Sequence, residues 1–257
     1  MSPQPTQEII DFSKTPLASN YTGLYASVLD GLFTEAECCS LIILATSPLS
    51  ANQGSPGSTS PSALSEPLAT DVSVTSPWRP AGLSAEASHQ TVHADFRNSE
   101  RIIRIDAHTA GWIYDRVRPF LESELGAIKQ GSKWDAVVGR KGKVDGTWKL
   151  AGPWPRLSFL RYTSGHFFKQ HCDGLLTDPA AENTHSRVTL HIYLNSDCEG
   201  GATRFWSPDK KRYLDVEPRI GRVLMFQQRM LVHSGEEVRD GVKYTLRLDV
   251  MFRQEKP

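Results

Sequence analysis

The sequence predicts an α+β protein, mainly β, in which a two-layered antiparallel β core follows N-terminal helices. Two patterns predict this class. Beyond Gly139, short apolar segments alternate with breaks rich in Gly, Pro, Asn and Asp, as in antiparallel sheets. Upstream of Gly139, two segments repeat apolar residues at helical spacing. At 257 residues the chain can bury one large core, so we expect a single domain over 25–257 after a polar leader at 1–24.

The first elements are expected directly after the leader. Residues 25–33 indicate a strand that enters a turn. Thr34 and Glu37 then match a capping box, in which a hydroxyl and a carboxylate bond the first helical amides reciprocally. A helix is therefore predicted over 35–45, and its apolar spacing assigns four residues to the buried face: Cys38, Leu41, Ile42 and Ala45.

The next segment, about 47–88, is rich in Ser, Pro, Ala and Gly and has few bulky apolar residues to offset the entropy of ordering. We interpret it as a flexible insertion. Two roles stay open for it, a tolerated surface loop and a mobile lid over an active site.

A strand over 96–105 and a helix over 107–125 are predicted before the β core. The apolar residues of this helix recur at helical spacing: Trp112, Ile113, Val117, Phe120 and Leu121. The core strands are predicted over 156–162, 188–194, 202–206, 222–226, 230–233 and 243–252.

Composition excludes several classes of function. Lys and Arg number 29, as do Asp and Glu, so nothing indicates a nucleic acid or an acidic membrane surface as partner. The 4 cysteines include no Cys-x-x-Cys, which argues against a disulfide framework and a thiolate zinc site. No segment resembles a signal peptide or a membrane span, so a cytoplasmic protein is expected.

Two candidate metal ligands, His171 and Asp173, are separated by one residue. In an extended segment both project from the same face and can reach one ion, whereas Cys172 between them is expected to point away. A His-x-Asp triplet alone is a weak signal, because a lone histidine is more often structural. His233, at a predicted strand end, completes a set of two imidazoles and one carboxylate, which is the facial triad that leaves three positions open on Fe(II). Those positions suit a bidentate 2-oxo acid and O2.

A second polar cluster follows His233 in the strand predicted over 243–252. Lys243, Thr245 and Arg247 alternate with apolar residues and therefore share one face. Two inward cations are costly without an anion, so this face suits a dicarboxylate cosubstrate. The alternative is a face that is simply solvated.

Five motifs recur in order along the C-terminal half: YTSGHFFKQHCD at 162–173, RVTLHIYLN at 187–195, GGATRF at 200–205, GRVLMF at 221–226 and HSGEEVRDGVKY at 233–244. With them, residues 155–253 resemble the catalytic domain of the prolyl 4-hydroxylase type of 2-oxoglutarate- and Fe(II)-dependent oxygenases. VLDGLFTEAEC at 28–38 resembles the lead-in strand and helix of that family. The resemblance implies a double-stranded β-helix, a jelly-roll or cupin-like core over about 155–253 flanked by N-terminal helices.

Position by position, the resemblance implies three iron ligands: His171, Asp173 and His233. It implies that Lys243 pairs with the distal carboxylate of 2-oxoglutarate, that Tyr193 donates a hydroxyl to the same carboxylate, and that Tyr162 lies near the cosubstrate. Two roles stay open for Arg247: binding the other carboxylate of the cosubstrate, and binding an acidic group on the substrate.

Other inward residues have structural explanations. Thr189 and Thr203 are each expected to be satisfied by a neighbour, and Gly200 with Gly201 fits a tight turn.

The implied reaction consumes 2-oxoglutarate and O2, releases succinate and CO2, and oxidises an unactivated C–H bond, with ascorbate as an accessory reductant. Hydroxylation is the default outcome, while desaturation and ring formation stay open. We expect a small-molecule substrate, as in a biosynthetic pathway; a prolyl peptide or protein is the alternative. A hypothesis of another class is a non-catalytic metal-binding β-helix module.

Overall fold

The computed structural model describes residues 4–48, 76–86 and 89–255, and these form eighteen strands and three α-helices. The helices are α1 (Ala18–Tyr21), α2 (Glu35–Thr46) and α3 (Ala107–Leu125), with 3-10 helices at Phe12–Lys14 and Asp135–Val137. The strands are β1 (Thr6–Ile9), β2 (Ala26–Asp30), β3 (Arg79–Pro80), β4 (Leu83–Glu86), β5 (His89–Thr91), β6 (Arg97–Asn98), β7 (Glu100–Ile105), β8 (Ala127–Ile128), β9 (Thr147–Pro153), β10 (Arg156–Thr163), β11 (Phe167–His171), β12 (Thr184–Tyr193), β13 (Cys198–Gly200), β14 (Thr203–Trp206), β15 (Tyr213–Val216), β16 (Val223–Gln227), β17 (His233–Gly235) and β18 (Val238–Glu255).

Two antiparallel sheets form the core. The larger follows the order β1-β2-β16-β12-β18-β10-β7-β3, with β8, β9 and β13 joined at its sides, and the smaller follows β15-β14-β17-β11-β6. Strands that are distant in sequence lie side by side in both sheets, as in a double-stranded β-helix. The predicted mainly β, α+β fold with a jelly-roll core is confirmed.

Side chains of β18 alternate between two faces, and each face packs against a different part of the protein. Leu246, Leu248 and Val250 face away from the smaller sheet and join a cluster with Ile113 and Val117 of α3, all of them fully buried. The intervening residues of β18 face the smaller sheet. Successive side chains of a strand point to opposite faces. When the apolar residues of β18 pack against α3, the polar residues between them therefore point into the space between the sheets.

Helix α2 begins as the sequence predicts. Thr34 accepts a hydrogen bond from the Glu37 amide at 3.2 Å, and the Glu37 carboxylate accepts one from the Thr34 amide at 2.8 Å. Each bond satisfies an amide that the helix itself leaves without a partner. Cys38, Leu41 and Ala45 are buried, whereas Ile42 is only partly buried. No helix in the described parts of the chain is long and apolar enough to cross a membrane.

The leader is more ordered than its polar composition indicates. Residues Thr6–Ile9 form β1, which pairs with β2 along its whole length, and Phe12 and Leu17 are buried between the sheets. Backbone pairing with β2, rather than side-chain burial, holds β1, because its side chains remain exposed or half-buried.

Two other segments differ from the sequence-based expectation. Most of the predicted insertion, 49–75 and 87–88, lies outside the described residues, and so do its interpretations as a loop or a lid; residues 76–86 contribute β3 and β4. The strand predicted over 230–233 begins instead at His233, because Met230 has a φ of 69°, a left-handed conformation that interrupts an extended strand.

Candidate active site

A cleft between the two sheets gathers most of the residues singled out in the sequence. The space between its lining residues is about 570 Å³ when the open solvent at its mouth is included. His171, Asp173, His233, Lys243 and Arg247 all line it.

The three predicted metal ligands converge at one end of the cleft. His171 ends β11 and faces His233 at the start of β17, because these residues are direct partners in the antiparallel ladder. Asp173 follows two residues after His171, and one ligand atom from each of the three lies within 4.8 Å of the others. The carboxylate lies 3.8 Å from Nε2 of His171 and 3.9 Å from Nε2 of His233.

Backbone carbonyls orient both imidazoles for metal binding. Nδ1 of His171 donates to the Lys169 carbonyl at 2.8 Å, and Nδ1 of His233 donates to the Leu231 carbonyl at 3.1 Å. With the proton held on Nδ1, the lone pair of each Nε2 is directed toward Asp173 and is available to a metal ion. Burial lowers the pKa of His233 and lowers that of His171 to about 3, so both imidazoles are neutral at physiological pH.

The Asp173 carboxylate is ionised although its side chain is only 6% exposed. Burial opposes ionisation, but the positive charge of Arg247, 3.4 Å away, and hydrogen bonding outweigh it, so the pKa of Asp173 lies below its ordinary value. The Thr189 hydroxyl also donates to Asp173 at 2.6 Å. Two neutral imidazoles and one held carboxylate fit Fe(II) with open positions, and the donor set lacks the thiolates that structural zinc sites favour. Cys172 is exposed, as expected, and is not part of this group.

Lys243 lies elsewhere in the cleft and is 2% exposed. Its ammonium donates to the Gly201 carbonyl at 2.5 Å and lies 4.9 Å from the ring centroid of Tyr162. No carboxylate of the described residues lies within 4.0 Å of it. Burial lowers the pKa of Lys243 to about 8. A buried ammonium without a counter-ion fits the distal carboxylate of 2-oxoglutarate.

Gly201 allows this approach. Its φ is +69°, and a Cβ at this position would lie 3.0 Å from Cδ of Lys243 and 3.1 Å from Val238. A side chain here would be strained and would displace the lysine. The turn predicted at Gly200 and Gly201 therefore also positions a carbonyl for the buried cation.

The other predicted cosubstrate residues have different surroundings. Tyr162 lines the cleft, whereas Tyr193 is fully buried and donates its hydroxyl to Thr203, a lining residue, at 2.7 Å. Arg247 bridges two carboxylates, at 3.4 Å from Asp173 and 2.9 Å from Asp249. The structure thus brings Tyr162 and Arg247 to the cleft and connects Tyr193 to it through a threonine.

Several residues of the cleft were not predicted. His191 lines it and has a buried Nε2 without a hydrogen-bond partner in the described structure; strand alternation between Thr189 and Tyr193 could have found it. Gln228 connects Thr189 at 3.4 Å with Asp249 at 2.7 Å. Arg97 and Arg101 also line the cleft.

Comparison with known proteins agrees with this site. Residues 157–248 match the family model described as the 2OG-Fe(II) oxygenase superfamily, and no curated protein sequence matches the chain. Among solved structures, the viral collagen prolyl hydroxylase of Paramecium Bursaria Chlorella virus-1 in its 2OG complex is 20% identical, with 88% of this chain and 95% of that chain covered and a TM-score of 0.48. A Pseudomonas putida prolyl-4-hydroxylase is 19% identical over 63% of this chain and 76% of its own, with a TM-score of 0.42. A Trichoplax adhaerens prolyl hydroxylase in complex with a hypoxia inducible factor peptide fragment is 16% identical over 68% and 70%, with a TM-score of 0.43.

The β-helix core and its His-Asp-His group define the class of protein, a non-haem iron oxygenase. The matched segment contains all three ligands and Lys243. Residues 157–248 thus match the 2OG-Fe(II) oxygenase superfamily, and the site within them is that of a 2-oxoglutarate- and Fe(II)-dependent dioxygenase. Fe(II) is its cofactor, and 2-oxoglutarate and O2 are its cosubstrates.

Proposed function

We propose that this chain hydroxylates an unactivated C–H bond of a small-molecule substrate. One observation carries the proposal: the ligand atoms of His171, Asp173 and His233 converge within 4.8 Å in the same cleft as Lys243, a buried cation without a carboxylate partner among the described residues. A metal-binding module without catalysis would need the triad but not the lysine.

The residues divide into two roles. His171, Asp173 and His233 bind Fe(II), which with 2-oxoglutarate and O2 supplies the oxidising power when bound. Lys243 pairs with the distal carboxylate of 2-oxoglutarate, and Tyr162 packs beside that cation. Two further residues support these groups, since Tyr193 orients Thr203 and Arg247 holds Asp173.

The preference for a small molecule over a prolyl peptide rests on the charge of the cleft. Three of its lining residues are arginines, Arg97, Arg101 and Arg247. Prolyl rings carry no charge that such a lining would recognise. Ascorbate is proposed as an accessory reductant that keeps the iron in the ferrous state.

The test measures succinate released from 2-oxoglutarate by the purified chain with Fe(II) and ascorbate. We expect iron-dependent succinate release that Asp173→Ala abolishes and that Asp145→Ala, an exposed carboxylate outside the cleft, leaves unchanged. Metabolite mixtures and prolyl peptides are incubated in parallel, and the substrate is the compound that gains ~16 Da, one oxygen atom. Absence of iron-dependent turnover with every set would favour a binding module, and a gain confined to peptides would overturn the small-molecule assignment.

A further inference from the structure

The cleft contains more positive charge than its metal and cosubstrate require. Four of its described lining residues are cationic, Arg97, Arg101, Lys243 and Arg247, and one is a carboxylate, Asp173. A second carboxylate, Asp249, lies behind Arg247. Even without Arg101, three cations exceed these two carboxylates. Fe(II) and the 2-oxoglutarate dianion carry equal and opposite formal charges, so loading both leaves this excess in place.

Arg97 is one of these cations and is nearly buried. It is 7% exposed, and its Nε donates to the Ser99 hydroxyl at 3.2 Å. No carboxylate of the described residues lies within 4.0 Å of its guanidinium. Burial lowers its pKa, and the positive charge of Arg247 contributes in the same direction. A buried cation without a counter-ion is costly, so its retention at this point suggests an anion that arrives with a ligand.

Its position is next to the metal ligands. The guanidinium carbon of Arg97 lies 4.4 Å from the ring centroid of Phe168, and that ring stacks on the imidazole of His171 with centroids 3.7 Å apart. One aromatic ring therefore separates Arg97 from an iron ligand. An anionic group bound by Arg97 would hold the rest of a small molecule close to the oxidising centre.

Lys243, the cation assigned to the cosubstrate, has different neighbours. Its ammonium donates to the Gly201 carbonyl at 2.5 Å and lies 4.9 Å from the ring centroid of Tyr162, whereas Arg97 bonds Ser99 and lies over the ring of Phe168. The two cations line one cleft but share none of these contacts, so we assign them to different anions.

Arg101 also lines the cleft, on β7 opposite Leu160 of β10, and donates to the Gly82 carbonyl at 3.1 Å. Burial lowers its pKa to about 9, and the positive charge of Arg97 contributes in the same direction. Arg101 therefore adds to the positive potential around Arg97, but the binding role is assigned to Arg97 alone.

We propose that Arg97 binds a carboxylate of the substrate, so that the enzyme oxidises a small carboxylic acid. The inference rests on the proposed function. A guanidinium forms paired hydrogen bonds with a carboxylate in a planar geometry. This pairing fixes one end of the substrate, and the position of the oxidised C–H bond is then set by its distance from that end.

The test is a binding measurement that needs no turnover. The protein is loaded with Zn(II), which does not support the oxidation, and with 2-oxoglutarate. It is then titrated calorimetrically with hexanoic acid, benzoic acid and N-acetylproline, each paired with its primary amide. We expect at least one acid to bind about 10-fold more tightly than its amide, the size of one charge-assisted hydrogen bond.

Arg97→Gln should remove the difference between acid and amide and leave the Kd of 2-oxoglutarate unchanged. Arg118→Gln, on the exposed face of α3, is the matched control and should behave as the wild type. If Arg97→Gln does not fold, Arg97→Lys takes its place: it keeps the charge but not the paired geometry, and a several-fold loss restricted to the acids is expected.

Three results would overturn the inference: equal affinity for acids and amides, no binding of any acid by protein that binds 2-oxoglutarate, or a neutral-ended prolyl peptide that binds more tightly than every acid. Loss of 2-oxoglutarate affinity in Arg97→Gln with an intact acid preference would assign Arg97 to the cosubstrate instead. The proposed function fails separately, when the Fe(II)-loaded wild type releases no succinate with any compound.

Discussion

The two charged ends of the cleft differ in how their charges are satisfied. At the metal end, the Asp173 carboxylate accepts a bond from Thr189 at 2.6 Å and lies 3.4 Å from Arg247, and both imidazoles are held by carbonyls. At the anion end, Lys243 is 2% exposed and has no carboxylate partner among the described residues. The metal end is organised before its ligand arrives, whereas the anion end is incomplete until one binds.

Removing charge from the metal end should have the largest effect. Asp173→Asn keeps the size of the side chain and can still bond Thr189, but it removes the anionic ligand. We expect the loss in kcat/KM to exceed the ~100-fold that mutation of a residue behind a metal ligand can cause. Succinate release and Fe(II) affinity by calorimetry are the measurements. Turnover within 10-fold of the wild type would show that Asp173 is not a ligand.

Neutralising the anion end should weaken the cosubstrate instead of the metal. Lys243→Met leaves a buried carboxylate of 2-oxoglutarate unpaired, so we expect its KM to rise about 100-fold, with Fe(II) affinity unchanged. Without ligand, the variant should be at least as stable as the wild type, because a buried charge without a counter-ion is removed. Thermal unfolding of the apo protein is the measurement; a clear destabilisation would indicate that Lys243 is a structural ion.

A residue behind the metal end should have a smaller effect of the same kind. Thr189→Val preserves shape but deletes the bond to Asp173. We expect about 10-fold weaker Fe(II) binding, and an unchanged Kd of 2-oxoglutarate at saturating metal. Thr203→Val, which removes the acceptor of the Tyr193 hydroxyl, is the reciprocal control and should affect 2-oxoglutarate. If both variants affect metal and cosubstrate alike, the two ends are not separate.

The metal end could be predicted from the sequence because its geometry is local. His171 and Asp173 are two residues apart in an extended segment, and His233 follows an apolar pair that marks a strand boundary, although the strand begins at His233 instead of ending there. Lys243 followed from the alternation of one long strand, β18. The same alternation predicted the outer face of β18 and, with helical spacing, the buried face of α3.

Arg97 could not be predicted, because its role depends on contacts that the local pattern does not contain. Its strand, β6, has two residues, too few for any periodicity, and it joins the smaller sheet through β11. Strand β1 was missed for a similar reason, since it is held by backbone pairing and buries little. Tyr193 lies on the same face of its strand as Thr189, but its hydroxyl donates to Thr203. The partner of this hydroxyl depends on side-chain packing, which the strand pattern does not contain.

The smallest effect expected is a pH dependence confined to the anion end. The pKa of Lys243 is about 8, lowered by burial, with Cys198, Glu217 and Glu236 favouring the charged form. Below pH 8 the ammonium is charged and pairs with 2-oxoglutarate; above it the pairing is lost. The Kd of 2-oxoglutarate for Zn(II)-loaded protein should therefore rise about 10-fold from pH 7 to pH 9.

Other groups near Lys243 do not produce the same change. Burial raises the pKa values of Cys198 and Tyr193, so both stay mainly protonated in this window. Burial also lowers the pKa values of the metal-binding histidines, which are neutral throughout. Lys243→Arg is the matched control: its guanidinium stays charged to pH 9, so its Kd should be flat. If the Kd of 2-oxoglutarate rises equally in the wild type and in Lys243→Arg, the titrating group is at the metal end. The two ends of the cleft would then not differ in the way described.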